Sequence, residues 1–439
     1  MGTKVIDDIT KFCLLQKNNF KLYLINKDGN YADVRNGDKS ILPDEIKERQ
    51  KGGEDVSKAI EEYAQELKRK EYRRILNYQI ENLIFLTGAG SSYQFGEKKK
   101  GLLMSGLWDM ATKKLDGKEN MDAFCTKVQY ADKDEKGEFK KNLETVLSLA
   151  EKAKNFIEEV LFTTDDGKSK TSWTISSTIQ QIKEMIKEHC DLKQSANSEE
   201  DFPHELFLNK ITKRKNSLSR IKLFTLNYDT LFEQAARRGN YTVVDGFSFS
   251  LPRTFSGRYF DYDLVVRDGS RIKNEDNFVP RVFHLYKPHG SVDWKKDSGN
   301  VVQDKAENIS VEDSLMIFPQ EDKYEHSYEQ PFFEMMTRLQ MALRAQNTTL
   351  VVIGFSFGDK HILSMIQEAL EQNPSFQLII VNFRTEGILG SDIFYNEAAV
   401  RGNLMLVNET FTDFVKAYPD VKVYDQNEEQ YRLIKVAKE

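Results

Sequence analysis

The feature that most constrains the fold of this chain is the stretch at residues 83–92, LIFLTGAGSS. A short apolar run that breaks into Gly-Ala-Gly-Ser-Ser is typical of a buried strand that enters a tight turn and then a helix. Gly88 and Gly90 let the backbone turn sharply and approach a ligand, and a helix N-terminus offers free N–H groups to an anion. Because Tyr93 stands where a dinucleotide fingerprint has its third glycine, the stretch alone leaves nucleotide binding and an ordinary strand-to-helix turn equally open.

Three further segments place polar residues at the ends of apolar strands. Residues 221–229 read IKLFTLNYD, residues 282–294 read VFHLYKPHGSVDW and residues 349–362 read TLVVIGFSFGDKHI, in which Asp359 can cap a helix. In an open parallel sheet, ligands bind in the crevice outside the carboxyl ends of the strands. The four polar strand ends therefore predict one shared site in an α/β nucleotide-binding fold.

The series GAGSS, TLNYD, PHGS and GFSFGD, in this order and at strand ends, resembles the sirtuin-like superfamily of NAD-consuming enzymes. The resemblance covers residues 83–384 and points to the bacterial branch whose members are NAD-degrading effectors of anti-phage defence. It implies a Rossmann-like parallel sheet with helices on both faces, and NAD as substrate. It also implies a homo-oligomer and allows for a partner protein, such as a defence-associated ATPase or a phage trigger.

Asn227, His289 and Asp229 are the candidate catalytic residues. Cleavage of the glycosidic bond of NAD develops oxocarbenium character at the ribose, so the site must position both the sugar and a nucleophile. The amide of Asn227 can hold a water molecule and a ribose hydroxyl at once. An imidazole exchanges protons near neutral pH, and the resemblance implies that His289 acts as a base. Asp229 is expected to orient the Asn227 turn or the nicotinamide end of the substrate.

The candidate cofactor-binding residues lie in the two glycine-rich turns and at the end of a later strand. The backbone of the first turn and the side chain of Ser356 would contact phosphates and riboses. The resemblance makes Asn382, which ends the apolar run QLIIVN, a candidate for the adenosine ribose. The full set is Gly88, Ala89, Gly90, Ser91, Gly354, Ser356 and Asn382.

We expect no bound metal, because the three cysteines Cys13, Cys125 and Cys190 are isolated from one another. Sirtuin deacylases carry a zinc module, and such a site needs closely paired thiolates. The chain also lacks the Pro-Asp-Phe-Arg segment that those enzymes carry after the glycine turn. These departures favour hydrolysis of NAD to ADP-ribose and nicotinamide. Two alternatives stay open: a zinc-free NAD-dependent protein deacylase, and a catalytically silent subunit that binds NAD or ADP-ribose.

A serine hydrolase is a weaker alternative. Gly354-Phe-Ser356-Phe-Gly358 has the spacing of a nucleophile elbow, in which a serine stands between a strand and a helix. The usual chain order is serine, acid and then histidine. The only histidine after Ser356 is His361, which would sit in the first turn of the same helix, so this order cannot be completed.

The chain of 439 residues is long enough for about two to three domains. We predict an N-terminal extension of unknown function at residues 1–80 and a catalytic domain at residues 81–439. A large α-helical insertion without strands is expected at residues 115–219. Its apolar stripes either pack inside the insertion or form a surface for assembly. The stripes are Leu143, Val146, Leu147, Ala150, Ala153, Ile157 and Val160, and Ile175, Ile179, Ile182 and Ile186.

Composition bears on location and partners. No apolar stretch approaches the ~20 residues that a membrane helix needs, so no membrane association is predicted. The few unpaired cysteines fit a reducing compartment, and we expect a cytoplasmic protein. A net charge of -6 argues against a protein that coats nucleic acid.

Overall fold

The computed structural model describes residues 9–157, 159–165, 170–194, 202–215, 218–266, 278–318, 330–383 and 391–421. Most of these residues belong to one large sheet and the helices that cover its two faces. No helix in these ranges combines the length and the apolar character needed to cross a bilayer.

The strands of the described chain are short, and those at the centre of the large sheet are almost entirely buried. They are β1 (Ile9–Lys17), β2 (Phe20–Lys27), β3 (Asn30–Asn36), β4 (Lys39–Ser40), β5 (Asn82–Thr87), β6 (Phe162–Asp165), β7 (Lys170–Trp173), β8 (Lys222–Thr225), β9 (Thr242–Val244), β10 (Val282–Tyr286), β11 (Gly290–Asp297), β12 (Asn300–Gln303), β13 (Ser314–Met316), β14 (Thr348–Ile353), β15 (Gln377–Asn382) and β16 (Leu404–Asn408).

The α-helices of the same ranges alternate with these strands over most of the chain. They are α1 (Asp44–Lys51), α2 (Ser57–Leu76), α3 (Met104–Lys114), α4 (Lys118–Lys127), α5 (Leu143–Ala153), α6 (Ile175–Cys190), α7 (Pro203–Ile211), α8 (Leu231–Arg238), α9 (Phe332–Arg344), α10 (Lys360–Gln372), α11 (Ser391–Ala398) and α12 (Phe411–Ala417).

The large sheet has 11 strands in the order β4-β3-β2-β1-β16-β15-β14-β5-β8-β10-β9. From β16 to β9 all neighbouring strands are parallel. Parallel strands are typically buried on both faces, which explains their continuous apolar runs. The Rossmann-like parallel sheet predicted from the sequence is confirmed.

Alternate residues of each central strand point into two separate cores. In β5, Leu83 and Phe85 join a core that α2, α7, α8 and α12 cover, whereas Ile84 and Leu86 join a core covered by α9, α10 and α11. This alternation follows from the two-residue period of a strand. Helices therefore lie on both faces of the sheet, as the sequence predicted.

The N-terminal strands continue the same sheet. Strand β1 pairs antiparallel with β16, and β2, β3 and β4 follow as an antiparallel meander. Leu15 and Leu22 of this meander are buried in the core that also contains Ile60 and Ala64 of α2. The extension is thus joined to the parallel strands by main-chain hydrogen bonds and by a shared core.

Helices α3, α4, α5 and α6 form a helical module (residues 104–190), whose core also includes Val292 of β11 and Met316 of β13. The predicted stripes on α5 and α6 are buried there, so they pack inside the module. Two expectations for this region are wrong. Helix α5 ends at Ala153 and Val160 is exposed, and a hairpin of β6 and β7 interrupts the helices. Helix α7 packs instead beside α8 and α12.

The two glycine-rich turns at the ends of β5 and β14 touch each other through their backbones. The amide of Gly90 donates to the carbonyl oxygen of Gly354 at 2.9 Å, and the amide of Gly88 donates to that of Ile353 at 3.0 Å. A Cβ atom on Gly90 would lie 2.6 Å from the Cα atom of Gly354. Only glycine allows this approach, which brings the two turns to one point of the sheet edge.

We therefore expect Gly90→Ala to destabilise the protein by about 1–3 kcal/mol, the usual cost of forcing an extra carbon atom into packed structure. Urea unfolding measures this difference. Gly402→Ala is the matched control, because its Cβ atom would meet no heavy atom within 4 Å. Equal stabilities of the two variants would contradict the close approach.

Candidate functional site

The four polar strand ends of the sequence lie side by side in the sheet. Strands β14, β5, β8 and β10 are consecutive neighbours, and the segments that follow them carry Gly354, Gly88, Asn227 and His289. All four strands are parallel, so these residues emerge at the same edge. The tertiary structure brings them together as a single site.

The side chain of Asn227 is fixed against the first glycine turn. Its Nδ2 donates to the carbonyl oxygen of Gly88 at 2.9 Å and lies 3.1 Å and 2.7 Å from the hydroxyl oxygens of Ser91 and Ser92. A carbonyl oxygen can only accept, so this contact sets the orientation of the amide. The other amide atom, Oδ1, is left to accept a hydrogen bond from a water molecule or a substrate hydroxyl.

Asp229 also contacts the first glycine turn. Its Oδ2 accepts from the hydroxyl of Ser92 at 2.6 Å, and its Oδ1 accepts from the amide of Leu231 at 3.0 Å, at the start of α8. Burial raises the pKa of Asp229, and the Lys287 ammonium opposes this effect. The contacts fit the expectation that Asp229 orients the Asn227 turn.

Lys287 is a buried cation that the sequence reasoning missed. It is 1% exposed, and its Nζ lies 2.5 Å from the carbonyl oxygen of Asp229, 2.7 Å from the hydroxyl of Ser291 and 3.0 Å from Oε1 of Glu233. The Asn227 turn, the PHGS turn and α8 are thereby linked through one ammonium group. Its sequence signal was weak, because a lysine at the end of an apolar strand usually reaches solvent.

Burial changes the pKa of Glu233, the partner of Lys287. It raises the pKa of the Glu233 carboxyl to about 7, with Lys287 lowering it and Asp293 raising it by smaller amounts. Buried charges are tolerated only when they are paired and hydrogen-bonded. The pair therefore makes the local structure sensitive to the loss of either partner.

His289 forms a pair with Asp359, a second residue whose role in the site the sequence did not reveal. The Nε2 atom of His289 lies 3.1 Å from Oδ2 of Asp359, and both residues are buried. The other carboxylate oxygen of Asp359 accepts from the amides of His361 and Ile362, which confirms the predicted cap of α10. A carboxylate that is fixed in this way can hold the imidazole in one orientation and stabilise its protonated form.

A cavity of about 450 Å³ opens at this edge of the sheet. Asn227, Asp229, His289, Ser356 and Asp359 supply polar groups to its wall. Its apolar side is formed by Leu102, Leu103, Met104, Leu107, Leu192, Leu226 and Phe355. A largely apolar cavity of this size with a few converging polar groups is typical of a small-molecule site.

The predicted cofactor-binding residues divide into two groups. Gly88, Ala89, Gly354 and Ser356 line the cavity. The others lie behind its wall: Gly90 against Gly354, Ser91 fully buried, and Asn382 donating to the carbonyl oxygen of Phe355 at 2.7 Å. Asn382 therefore supports the GFSFGD turn, and its contact with a ribose stays a prediction.

The first glycine turn differs from the phosphate cradle that its sequence suggests. It enters a 3₁₀ turn at Ala89–Ser91, and the next α-helix begins only at Met104, so the helix predicted directly after the turn is wrong. The amides of Ser91 and Ser92 donate to the carbonyl oxygens of Gly88 and Ala89. These N–H groups are engaged within the protein.

The helical module completes the wall of the cavity. Glu144 of α5 and both His189 and Cys190 at the end of α6 also line it. Burial raises the pKa of the Cys190 thiol to about 12, which makes it a poor nucleophile at neutral pH. Within the described ranges, no group of three or more His, Cys, Asp and Glu side chains is placed to hold a metal ion; a metal-free site stays a prediction.

The comparison with protein-family models gives one match. Residues 222–386 match the SIR2-like domain, which assigns this segment to the sirtuin-like superfamily. The segment contains Asn227, His289 and Asp359, whereas the first glycine turn and the helical module lie outside it. A comparison with curated proteins gave no match. The match thereby supports the resemblance for the motifs TLNYD, PHGS and GFSFGD.

Lys287→Met should destabilise the protein by about 3–5 kcal/mol, because it leaves the Glu233 carboxylate buried without its partner. The double variant Lys287→Met/Glu233→Gln should lose less stability than the sum of the two single variants. Urea unfolding of the four proteins gives the coupling. Lys295→Met, which removes a lysine paired with Asp304 at the surface, serves as control and should change stability little. Additive losses at Lys287 and Glu233 would contradict the buried pair.

The raised pKa of Glu233 also predicts a dependence of stability on pH. Between the ordinary value of 4.5 and about 7, the folded state holds a proton that the unfolded state has released. The contribution of Glu233 is therefore complete below pH 4.5 and is lost as the pH rises through about 7. The free energy of unfolding of the wild type minus that of Glu233→Gln should fall over this range. A difference that rises with pH would show that pairing with Lys287 outweighs burial.

Proposed function

We propose that this chain, in which residues 222–386 match a SIR2-like domain, hydrolyses NAD to ADP-ribose and nicotinamide. A SIR2-like domain indicates an NAD-related enzyme in general, and the hydrolysis is our more specific inference. The observation that carries it is the convergence of Asn227 and the His289–Asp359 pair on one cavity beside both glycine turns.

The charge of the cavity suits the reacting end of NAD. Its described lining includes the carboxylates of Glu144, Asp229 and Asp359 but no lysine or arginine. The nicotinamide ring of NAD is cationic, and the ribose gains positive charge as the bond to the ring breaks. As the bond breaks, the positive charge moves from the ring to the ribose, and carboxylates placed beside the ribose favour this transition state. Gly88, Ala89, Gly354 and Ser356 stay the proposed contacts for phosphates and riboses.

The proposed reaction is a displacement at the anomeric carbon of the nicotinamide ribose. The C–N bond breaks and its electron pair passes to the ring nitrogen, which gives neutral nicotinamide. A water molecule held by Oδ1 of Asn227 forms the new C–O bond. His289 accepts the proton of that water or of a ribose hydroxyl, and Asp359 stabilises the resulting imidazolium.

Other reactions are less well supported by the site. In the GFSFGD turn the left-handed backbone falls on Gly354 and Phe357, with φ of 63° and 59°, and not on Ser356. The strained conformation typical of a nucleophile elbow is thus absent at this serine. A deacylase or a silent NAD-binding subunit would share the cavity, and the products formed from NAD distinguish these alternatives from hydrolysis.

We further propose that the enzyme is an NAD-depleting effector of bacterial anti-phage defence, as the strand-end motifs imply. Unregulated loss of NAD would harm the host cell, so control by homo-oligomer formation or by a partner protein is part of this proposal. The apolar stripes of α5 and α6 are buried within the helical module. An assembly surface would therefore have to use other residues.

The test is product analysis with NAD as the only substrate. The wild type should release equal amounts of nicotinamide and ADP-ribose without any acyl-peptide. Asn227→Ala should abolish turnover, and His289→Ala should lower it by ~10²–10⁴, the usual contribution of a positioned acid or base. Chromatography with mass detection measures both products.

Asn308→Ala is the matched control, because Asn308 is exposed in a surface turn and contacts Asp304. Its turnover should equal that of the wild type. Near-normal NAD loss in Asn227→Ala or His289→Ala would remove the assignment of these residues. Formation of acyl-ADP-ribose only in the presence of an acylated peptide would favour the deacylase.

A further inference from the structure

Glu144 is the acidic residue that the helical module contributes to the cavity. It stands in the first turn of α5, whose start is capped by Asn142 through a hydrogen bond from the amide of Thr145. The neighbouring Leu143, Val146 and Leu147 are fully buried in the core of the module. The helix that carries Glu144 is therefore held firmly at the cavity wall.

Asp229 and Asp359 are the carboxylates that the strand-end side contributes to the same cavity. Both oxygens of Asp229 accept hydrogen bonds from Ser92 and Leu231. Both oxygens of Asp359 are used as well, one at His289 and one at the start of α10. These two residues shape the strand-end side of the site. Glu144 joins the same lining from α5 of the helical module.

The charge of Glu144 acts on the side chain of Tyr228, which also lines the cavity. Tyr228 lies between Asn227 and Asp229, and its hydroxyl donates to the carbonyl oxygen of Ile317. Burial is the main reason that its pKa is raised, and the charges of Glu144 and Asp359 raise it further. The charges of Glu144 and Asp359 thus both act on the side chain of Tyr228, the chain neighbour of Asn227.

We propose that Glu144 contacts the nicotinamide riboside end of NAD and stabilises the positive charge that develops there. This inference rests on the proposed hydrolysis of NAD. As the C–N bond breaks, the anomeric carbon becomes cationic until the oxygen of the incoming water bonds to it. A carboxylate in the cavity lining favours this state without exchanging a proton, so the bonds formed and broken are those of the reaction above.

The helical module would then contribute directly to the reaction. The module lies outside the segment that matches the SIR2-like domain, yet it would supply a residue to the reacting end of the substrate. Displacement of α5 would remove that residue and leave the strand ends unchanged. Binding of the adenosine part of NAD and turnover of NAD can therefore be separated by mutation.

The first measurement is steady-state turnover of NAD by Glu144→Gln, which keeps the shape of the side chain and removes its charge. We expect kcat to fall at least ~10-fold, because the interaction strengthens in the transition state, and KM to rise by a smaller factor, because the ring of bound NAD is already cationic. Glu151→Gln is the matched control on the same helix. Glu151 pairs with Lys183 and Lys154 and does not line the cavity.

The second measurement is binding, made in an Asn227→Ala background by calorimetry so that NAD is not consumed. Glu144→Gln should leave the affinity for ADP-ribose unchanged, since that ligand lacks the nicotinamide ring. It should weaken binding of NAD with its cationic ring more than binding of NADH with its neutral ring. Unfolding curves establish that the variants are folded.

The outcomes separate this inference from the proposed function. Normal kcat in Glu144→Gln, with an inactive Asn227→Ala, overturns the role of Glu144 and leaves NAD hydrolysis standing. Equal loss of affinity for NAD, NADH and ADP-ribose also overturns it, because Glu144 would then only shape the cavity. A wild type that binds NAD without turnover overturns the hydrolysis. In that case, a Glu144→Gln variant that loses more affinity for NAD than for NADH still supports the placement of Glu144.

Discussion

The buried ammonium group of Lys287 is the interaction on which the arrangement of the site most depends. It lies among oxygen atoms of Asp229, Glu233 and Ser291, which belong to two segments of the chain, the Asn227 turn with the start of α8 and the PHGS turn. Such a cation is costly to bury, so each of these oxygens must stay in place to compensate it. The positions of Asn227 and His289 relative to each other follow from this requirement, because both residues lie on the turns that Lys287 connects.

The site is a composite of two structural units. One unit is the parallel sheet, whose adjacent strand ends carry Asn227, His289 and the two glycine turns. The other is the helical module, which covers these strand ends with an apolar wall and with Glu144. The cavity therefore takes its shape from both units. The proposed reaction then depends on the position of the helical module relative to the strand ends.

Main-chain packing, more than side-chain chemistry, explains the glycine pattern. The Gly-Ala-Gly segment was expected to present free amides to a phosphate, whereas several of those amides donate to carbonyl oxygens within the turns. Gly90 is required because the backbone of Gly354 passes directly beside it. A pattern that suggests anion binding from local sequence can thus arise from the contact of two turns that are far apart in the chain.

Local sequence determined the parallel sheet with helices on both faces, the helix cap at Asp359 and the strand ends that carry Asn227 and His289. These features depend on apolar periodicity and on turn residues, which act over a few positions. Only the tertiary structure decided that Asp359 pairs with His289, that Lys287 is buried, and that Glu144 faces the same cavity. Their sequence separations are large, and the same residue types at a surface would serve as ordinary caps or solvated charges. The hairpin of β6 and β7 also escaped prediction, because two strands of four residues leave too short a pattern to distinguish from the helices around them.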